Sequence, residues 1–317
     1  MSFRILGTGM YVPENIVTND DLAKLVDTND EWIRTRVGVE RRHIATTETA
    51  ADMAYEAAKD ALENSGIKAE ELDLILCSTC SGDDVSPSVS CMVQNKLGVS
   101  CMAYDINAAC SAFIFLLETA AGYFARKKVK NVLVIGSERI SRILDWTDRS
   151  TCVIFGDGAG AAVLTEGNNY LASRFNVNGG DDVIKIPNFI GSSPFFKNEP
   201  LSPYIHMQGQ ETFKYAVSSI SRDLPAVLAD AGLSIDDIKY VVPHQANKRI
   251  IEAAARRSGI PLEKFFVNIE EYGNTSSASV PIALNELNRS GKLSEGDLLI
   301  LTAFGGGLSC ATCLIRW

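Results

Sequence analysis

The chain has 317 residues, 46% of them hydrophobic and 22% charged, the make-up of a well-packed globular protein with room for one large domain or two ordinary ones. A net charge of −9 excludes nucleic acid as the main partner, so an anionic partner has to meet a local basic patch. No apolar run nears the ~18 residues of a membrane span, and Met1-Ser2-Phe3-Arg4-Ile5-Leu6-Gly7 reads as a strand and not a signal peptide, which gives a cytoplasmic expectation with no membrane partner.

A first strand ends at Gly7-Thr8-Gly9. Thr18-Asn19-Asp20-Asp21 has the spacing of a capping box ahead of Leu22 to Val26. A short helix starts near Asn29-Asp30 and carries Trp32, Arg34 and Arg36. Thr49-Ala50-Ala51-Asp52 is a second capping box, and its helix runs to Gly66, a C′ glycine, with Ala50, Ala54, Ala57 and Ala61 as a small-residue stripe. Leu72 to Cys77 and Val132 to Gly136 are buried strands. Val153-Ile154-Phe155 and Ala161 to Leu164 flank the turn Gly156-Asp157-Gly158-Ala159-Gly160. A dinucleotide loop needs a helix after such a turn, and a second apolar run follows here, so a hairpin is expected. Ile184 to Pro203 carries Pro187, Pro194, Pro200, Pro203, Phe189, Phe195 and Phe196, and reads as a lid or binding loop.

The eight cysteines are read as reduced thiols. Cys77/Cys80 and Cys310/Cys313 have C-x-x-C spacing but overlap or abut strand-like runs, where residues three apart point to opposite faces, so no metal is expected.

The second half repeats the first. Gly66 and the stretch through Ile75 align with Gly232 through Val241 at an offset of 166 residues, and the same offset pairs Val132 with Leu298. The chain is read as two copies of one α/β unit, residues 1–166 and 167–317, each a mostly parallel sheet covered by helices. The offset maps Cys110 onto Ser276, so two buried helices start face to face across a pseudo-twofold axis.

Cys110 lies in Asp105-Ile106-Asn107-Ala108-Ala109-Cys110-Ser111, at the first turn of an all-apolar helix, where free N–H groups favour a thiolate. A lone buried cysteine is ordinarily structural, so its neighbours decide. His244 ends a strand in Pro243-His244-Gln245-Ala246-Asn247, where α/β sheets place their sites. Asn274 stands in Gly273-Asn274-Thr275-Ser276, before the second buried helix. Phe304-Gly305-Gly306-Gly307 follows a strand and offers close backbone approach and free N–H groups.

These motifs, with Asp30-Glu31-Trp32-Ile33, Arg36 and Gly156-Asp157-Gly158-Ala159-Gly160, cover nearly the whole chain, and the sequence resembles the β-ketoacyl-acyl-carrier-protein synthase III family of the thiolase superfamily. The resemblance implies a duplicated α/β unit in five layers, αβαβα. It implies a homodimer that condenses an acyl-CoA primer with malonyl-acyl-carrier protein, with no cofactor beyond acyl-CoA as substrate. Cys110 would be the acylated nucleophile, its thiolate favoured by the helix start and His244. His244 and Asn274 would be donors to the thioester oxygen, the N–H groups of Cys110 and Gly306 the oxyanion hole, and Phe304 a shield. Trp32 and Arg149 resemble the pair that sandwiches the adenine, with Thr28 and Arg36 near the phosphates; Gly209, Asn247 and Arg249 match further CoA positions. Gln210 departs from the asparagine expected at its place.

Carrier protein is acidic, and Lys248, Arg249, Arg256 and Arg257 cluster after His244, with Gln245, Ala246, Asn247 and Lys214 beside them as its docking surface. Ser86 stands before Pro87 where acetyl-preferring relatives carry a bulky Phe from the partner subunit, which implies a pocket for longer or branched primers. The alternatives are a thiolase-fold acyltransferase of secondary metabolism and a noncatalytic subunit that binds CoA or carrier protein. Asn274 separates the chain from elongating synthases, which use two histidines. Phe304-Gly305-Gly306-Gly307 separates it from chalcone-synthase-like enzymes.

Overall fold

The computed structural model describes residues 2–187, 192–195, 197 and 202–317. Two sheets carry the fold. The first is built from β1 (Ser2–Tyr11), β2 (Leu74–Ser78), β3 (Met102–Asp105), β4 (Asn131–Glu138) and β5 (Gly158–Gly167), in the order β1-β5-β4-β2-β3. The second is built from β6 (Tyr170–Val177), β7 (Ile238–Pro243), β8 (Leu298–Gly305) and β9 (Ser309–Arg316), in the order β6-β9-β8-β7. The second order repeats the first through four strands. At the place of β3, the described residues hold only an isolated bridge between Val241 and Phe265.

The sheets are mixed, not mostly parallel. β2 runs parallel to β3 and β4, and β7 to β8, but β5 returns antiparallel between β1 and β4, and β9 between β8 and β6. The reason is local: β4 and β8 are each followed by a strand that folds back beside them, without a crossover helix.

The helices follow from their caps and apolar faces. α1 (Asp30–Arg36) starts where Asn29 Oδ1 accepts the Trp32 N–H at 2.8 Å. α2 (Ala50–Ser65) starts at the Thr49/Asp52 capping box and ends on Gly66 at φ 71°, and Ala50, Ala54, Ala57 and Ala61 are all buried. α3 (Val89–Leu97) joins α2 on the outer face of the first sheet. α5 (Gly209–Asp230) and α6 (Lys248–Ser258) cover the outer face of the second. Between the sheets lie α4 (Ala112–Ala125) and α7 (Ser279–Arg289), whose Phe113, Ile114, Leu117, Val280 and Leu284 touch strands of both sheets. The layers therefore run αβαβα. Burial of this central apolar layer, at roughly 25 cal/mol per Å² removed from water, is the main stabilising term.

Two expectations shift. β1 continues past Gly7-Thr8-Gly9 to Tyr11, because its ladder with β5 continues to the Tyr11–Ala159 pair. Val153 to Phe155 is not a strand of a hairpin. It turns, and Phe155 bridges Asn274 in the other half. The cysteines of β9 do face opposite ways, Cys310 toward α5 and α6 and Cys313 into the central layer.

The duplication is real but its offset slips. One-turn 3-10 segments, Ala109–Ser111 and Ser276–Ala278, precede α4 and α7. Ala109 at φ 48° and Ser276 at φ 50° are the matching left-handed residues. β4 likewise matches β8 from first residue to last, Asn131 to Leu298 and Glu138 to Gly305. The offset here is 167 residues, so Cys110 corresponds to Ser277, not Ser276, and Val132 to Leu299. The second half holds one extra residue between β7 and this turn.

Candidate active site

Cys110, His244 and Asn274 line one cavity of about 170 Å³, together with Phe304, Gly305 and Gly306. Its remaining wall is mostly apolar, with Ile140, Ile154, Phe155, Ile184, Ile186, Ile205, Met207 and Phe213 among others, and Ser150, Thr212, Asn247 and Ser276 as its polar members. Ile184 and Ile186 of the Ile184–Pro203 segment reach it, as do Ile205 and Met207 just beyond, and Ile184–Lys185 pairs with His206–Met207 as a two-stranded ribbon. Phe195 is exposed, while Phe189, Phe196 and Pro200 lie outside the described residues.

Cys110 sits in the 3-10 turn two residues before α4, not in the helix's first turn. The β8–β9 turn lies hard against it: a Cβ on Gly305 would come 2.7 Å from the Cys110 nitrogen, so only glycine fits there. Asn274 is clamped by its main chain, which donates to Ile154 O at 2.9 Å and accepts from the Gly156 N–H at 3.1 Å. Gly273 before it has φ 64°, and a Cβ there would meet Ile154 O at 2.8 Å. The Ser276 N–H donates to Asn274 Oδ1 at 2.8 Å, which turns Nδ2, a donor, outward.

His244 is 3% exposed. Its N–H donates to Thr302 O at 2.7 Å, its Nδ1 shares a hydrogen bond with Ser279 Oγ at 2.5 Å, and the Phe304 ring meets it edge-on at 5.4 Å. Burial pulls its pKa down to about 3 and pushes the Cys110 thiol up to about 12, the latter with a smaller push from the Glu138 charge. Burial therefore works against the expected thiolate, and the Ser276 hydroxyl works for it. His244, the more deeply buried of the two, stays a neutral imidazole at neutral pH.

Trp32 and Arg149 meet on the surface, with the guanidinium carbon 5.3 Å from the indole centroid. Arg149 Nη1 donates to Asp27 O at 2.7 Å, and neighbouring Thr28 holds a buried Oγ1 without a hydrogen-bond partner among the described residues. Arg36 is exposed, and its carbonyl accepts from Asn247 Nδ2 at 3.1 Å, which ties the end of α1 to the start of α6. Gly209 and Asn247 line the cavity.

Lys248, Arg249, Arg256 and Arg257 are exposed on α6, and none is in an ion pair among the described residues. Lys214 is paired with Glu211 at 2.7 Å. Gln245 and Ala246 are not surface residues. Gln245 is buried, donates to the carbonyls of Pro243 and Phe266 and accepts from the Asn268 N–H, while Ala246 lines the cavity. Ser86 is exposed and outside its own chain's cavity.

Two residues, Ser279 and Glu138, escape the sequence reading, and so does the hydrogen bond by which Ser276 holds Asn274. Glu138 had a signal, a charge at the end of a strand whose Val132 to Ile135 are all apolar.

Residues 104–179 match the 3-Oxoacyl-[acyl-carrier-protein (ACP)] synthase III family, and residues 228–317 its C-terminal family. A Beta-ketoacyl-[acyl-carrier-protein] synthase III of Clostridium acetobutylicum is 46% identical over 100% of this chain and 99% of its own. The chain belongs to the β-ketoacyl-[acyl-carrier-protein] synthase III family. The crystal structure of the 3-oxoacyl-[acyl-carrier-protein] synthase III from Aquifex aeolicus VF5 is 46% identical and superimposes with a TM-score of 0.93 over 99% of this chain and 100% of that one. The priming β-ketosynthase from the R1128 polyketide biosynthetic pathway is 34% identical, with a TM-score of 0.91 over 99% and 96%. The five-layered fold is thus the family's fold. No helix among the described residues is long and apolar enough to cross a membrane.

Proposed function

We propose that the chain catalyses the decarboxylative Claisen condensation of an acyl-CoA primer with malonyl-acyl-carrier protein, the step that initiates fatty-acid synthesis. The observation that carries this reading is the convergence of Cys110, His244 and Asn274 on one apolar cavity. The Cys110 sulfur attacks the acyl-CoA carbonyl, CoA leaves, and the thiol proton goes to the CoA sulfur. Malonyl-acyl-carrier protein then loses carbon dioxide, and the electron pair moves onto its thioester oxygen. Asn274 Nδ2 donates to that oxygen, in keeping with the bond that occupies its Oδ1. His244 donates from Nε2 when the Ser279 hydroxyl donates to Nδ1. The carbanion attacks the acyl-cysteine, whose oxyanion takes N–H groups of Cys110 and Gly306; the carbonyl re-forms, the cysteine leaves as a thiolate, and it takes a proton from water.

The adenine of CoA stacks between Trp32 and Arg149, with Thr28, Arg36, Gly209, Asn247 and Arg249 along the rest of the molecule. Acidic carrier protein docks on Lys248, Arg249, Arg256 and Arg257, with Lys214 and Asn247 at the edge. No cofactor beyond the CoA substrate takes part, and the enzyme works in the cytoplasm as a homodimer. The dimer is supported by an open cleft of about 1010 Å³ that shares Cys80, Ala109, Ile184, Ile186 and Gly306 with the acyl cavity and exposes Val85 and Val177. The Ser86 loop of a second copy would border that cleft, and its small side chain leaves room for longer or branched primers.

One assay tests the reading: labelled acyl-CoA with malonyl-acyl-carrier protein. Carbon dioxide release with a β-ketoacyl product is expected; acyl transfer without release would reject it. Running acetyl-, isobutyryl- and hexanoyl-CoA side by side tests the primer, and strict acetyl preference overturns that part. A second reading, priming in secondary metabolism, is favoured by the likeness to the R1128 ketosynthase, and differs in the carrier protein that is accepted.

A further inference from the structure

Glu138 ends β4 and is fully buried, yet it pairs with no cation among the described residues. Donors satisfy it instead. Oε2 accepts from Ser81 Oγ at 2.5 Å, the Cys80 N–H at 3.0 Å and Thr79 Oγ1 at 3.2 Å, all in the first half. Oε1 accepts from Ser277 Oγ at 2.7 Å, Ser276 Oγ at 3.0 Å and the Ser277 N–H at 3.4 Å in the second half, with the Cys80 thiol at 3.5 Å from the first. One carboxylate therefore fastens the two halves together directly beside the cavity. Ser276 is the link onward, since its N–H holds Asn274 Oδ1.

The duplication explains the placement. Glu138 is the counterpart of Gly305, and Ser277 the counterpart of Cys110. On one side the strand end is bare, and the nucleophile's backbone approaches it. On the other it carries a carboxylate that closes on the nucleophile's mirror position. A negative charge there works against a Cys110 thiolate, so its use lies in the donors it gathers.

We propose that Glu138 is a positioning residue for condensation: it holds Ser276 and Ser277 so that Asn274 presents Nδ2 to the substrate oxygen. The proposal rests on the reading of Asn274 as a donor in the second half-reaction. Only a carboxylate serves, because each oxygen receives a backbone N–H, from Cys80 and from Ser277. In Glu138→Gln the amide nitrogen faces one of these N–H groups whichever way it is turned.

The test separates the half-reactions. Acyl-enzyme formation is followed by intact-mass spectrometry with acyl-CoA, and condensation by carbon dioxide release from malonyl-acyl-carrier protein. Glu138→Gln is expected to acylate within about threefold of wild type, while carbon dioxide release falls about 100-fold, the scale of a misplaced reacting group. Ser277→Ala, which removes one tether and leaves the cavity lining intact, is expected to lose about tenfold in release only. In an Asn274→Ala background, Glu138→Gln should add less than about threefold, because the two act through one group. Equal loss of both half-reactions, or a fully multiplicative effect in that background, overturns the proposal. If Glu138→Gln does not fold, Ser277→Ala decides alone, and wild-type release from it overturns the proposal. Wild-type release from Asn274→Ala would reject the donor reading and this proposal with it; slow Asn274→Ala beside wild-type-like Glu138→Gln rejects this proposal only.

Discussion

His244 Nδ1 and Ser279 Oγ stand 2.5 Å apart, with the hydroxyl at the first residue of α7 and the imidazole at the end of β7. The same oxygen lies 3.4 Å from the Gln245 nitrogen and accepts its N–H. A buried imidazole that loses this partner is left with an unsatisfied nitrogen, at about 1–3 kcal/mol. Ser279→Ala is expected to lower carbon dioxide release at least tenfold and to leave acylation of Cys110 near wild type. Rates of the two half-reactions, measured separately, check this, and parallel losses would count against it.

The pH dependence follows from the lowered pKa of His244. Between 6.5 and about 3, the unfolded chain binds a proton on this side chain that the folded chain does not. Its contribution to stability is therefore full above 6.5 and declines as pH falls through that window. The condensation rate should show no histidine limb near 6.5, since the group stays neutral in the fold. A pH–rate profile of carbon dioxide release with a midpoint near 6.5 would contradict this.

The nucleophile and the donor act in different half-reactions. Cys110→Ser should yield no stable acyl-enzyme by mass spectrometry. Asn274→Ala should still be acylated and lose about 100-fold or more in condensation. An Asn274→Ala protein that cannot be acylated would falsify that division.

Gly305→Ala places a methyl group 2.7 Å from the Cys110 nitrogen. Neither backbone can yield without moving the nucleophile, so acylation should fall by about 100-fold. Thermal melting distinguishes displacement from unfolding: a folded but slowly acylated protein is the expected result.

Arg256 and Arg257 are exposed and far along α6 from the cavity-lining residues. Replacing both by Glu should raise the KM for malonyl-acyl-carrier protein about tenfold and leave that for acyl-CoA unchanged. The difference from wild type should shrink as salt is raised. An unchanged KM at low salt removes these residues from the docking surface.

Local chemistry is what the sequence displays best. The Thr49–Asp52 and Asn29 caps and the Gly66 stop lie within single turns, and they form as read. The two-unit organisation is legible because the repeat is legible, and the αβαβα layering follows from the family resemblance that the motifs carry. What misleads is any residue whose partner lies far along the chain. Val153 to Phe155 is apolar enough for a strand, but its bridge is to Asn274. Gln245 reads as an exposed neighbour of a cationic helix, yet it serves main-chain groups at 243, 266 and 268. Glu138 gathers donors from residues 79–81 and 276–277, a pattern no local window contains. The one-residue slip in the repeat is hidden for the same reason: matched backbone conformations at Ala109 and Ser276, and the matched ends of β4 and β8, reveal it.

The carboxylate of Glu138 also settles a question of stoichiometry. A duplicated framework supplies two related helix starts and two related strand ends, and so the makings of two reaction centres. Gly305 leaves one of them open, and Glu138 occupies the other with a group from the chain itself. Acyl loading should accordingly saturate at one group per chain, because the mirror position of the nucleophile is already filled by this carboxylate.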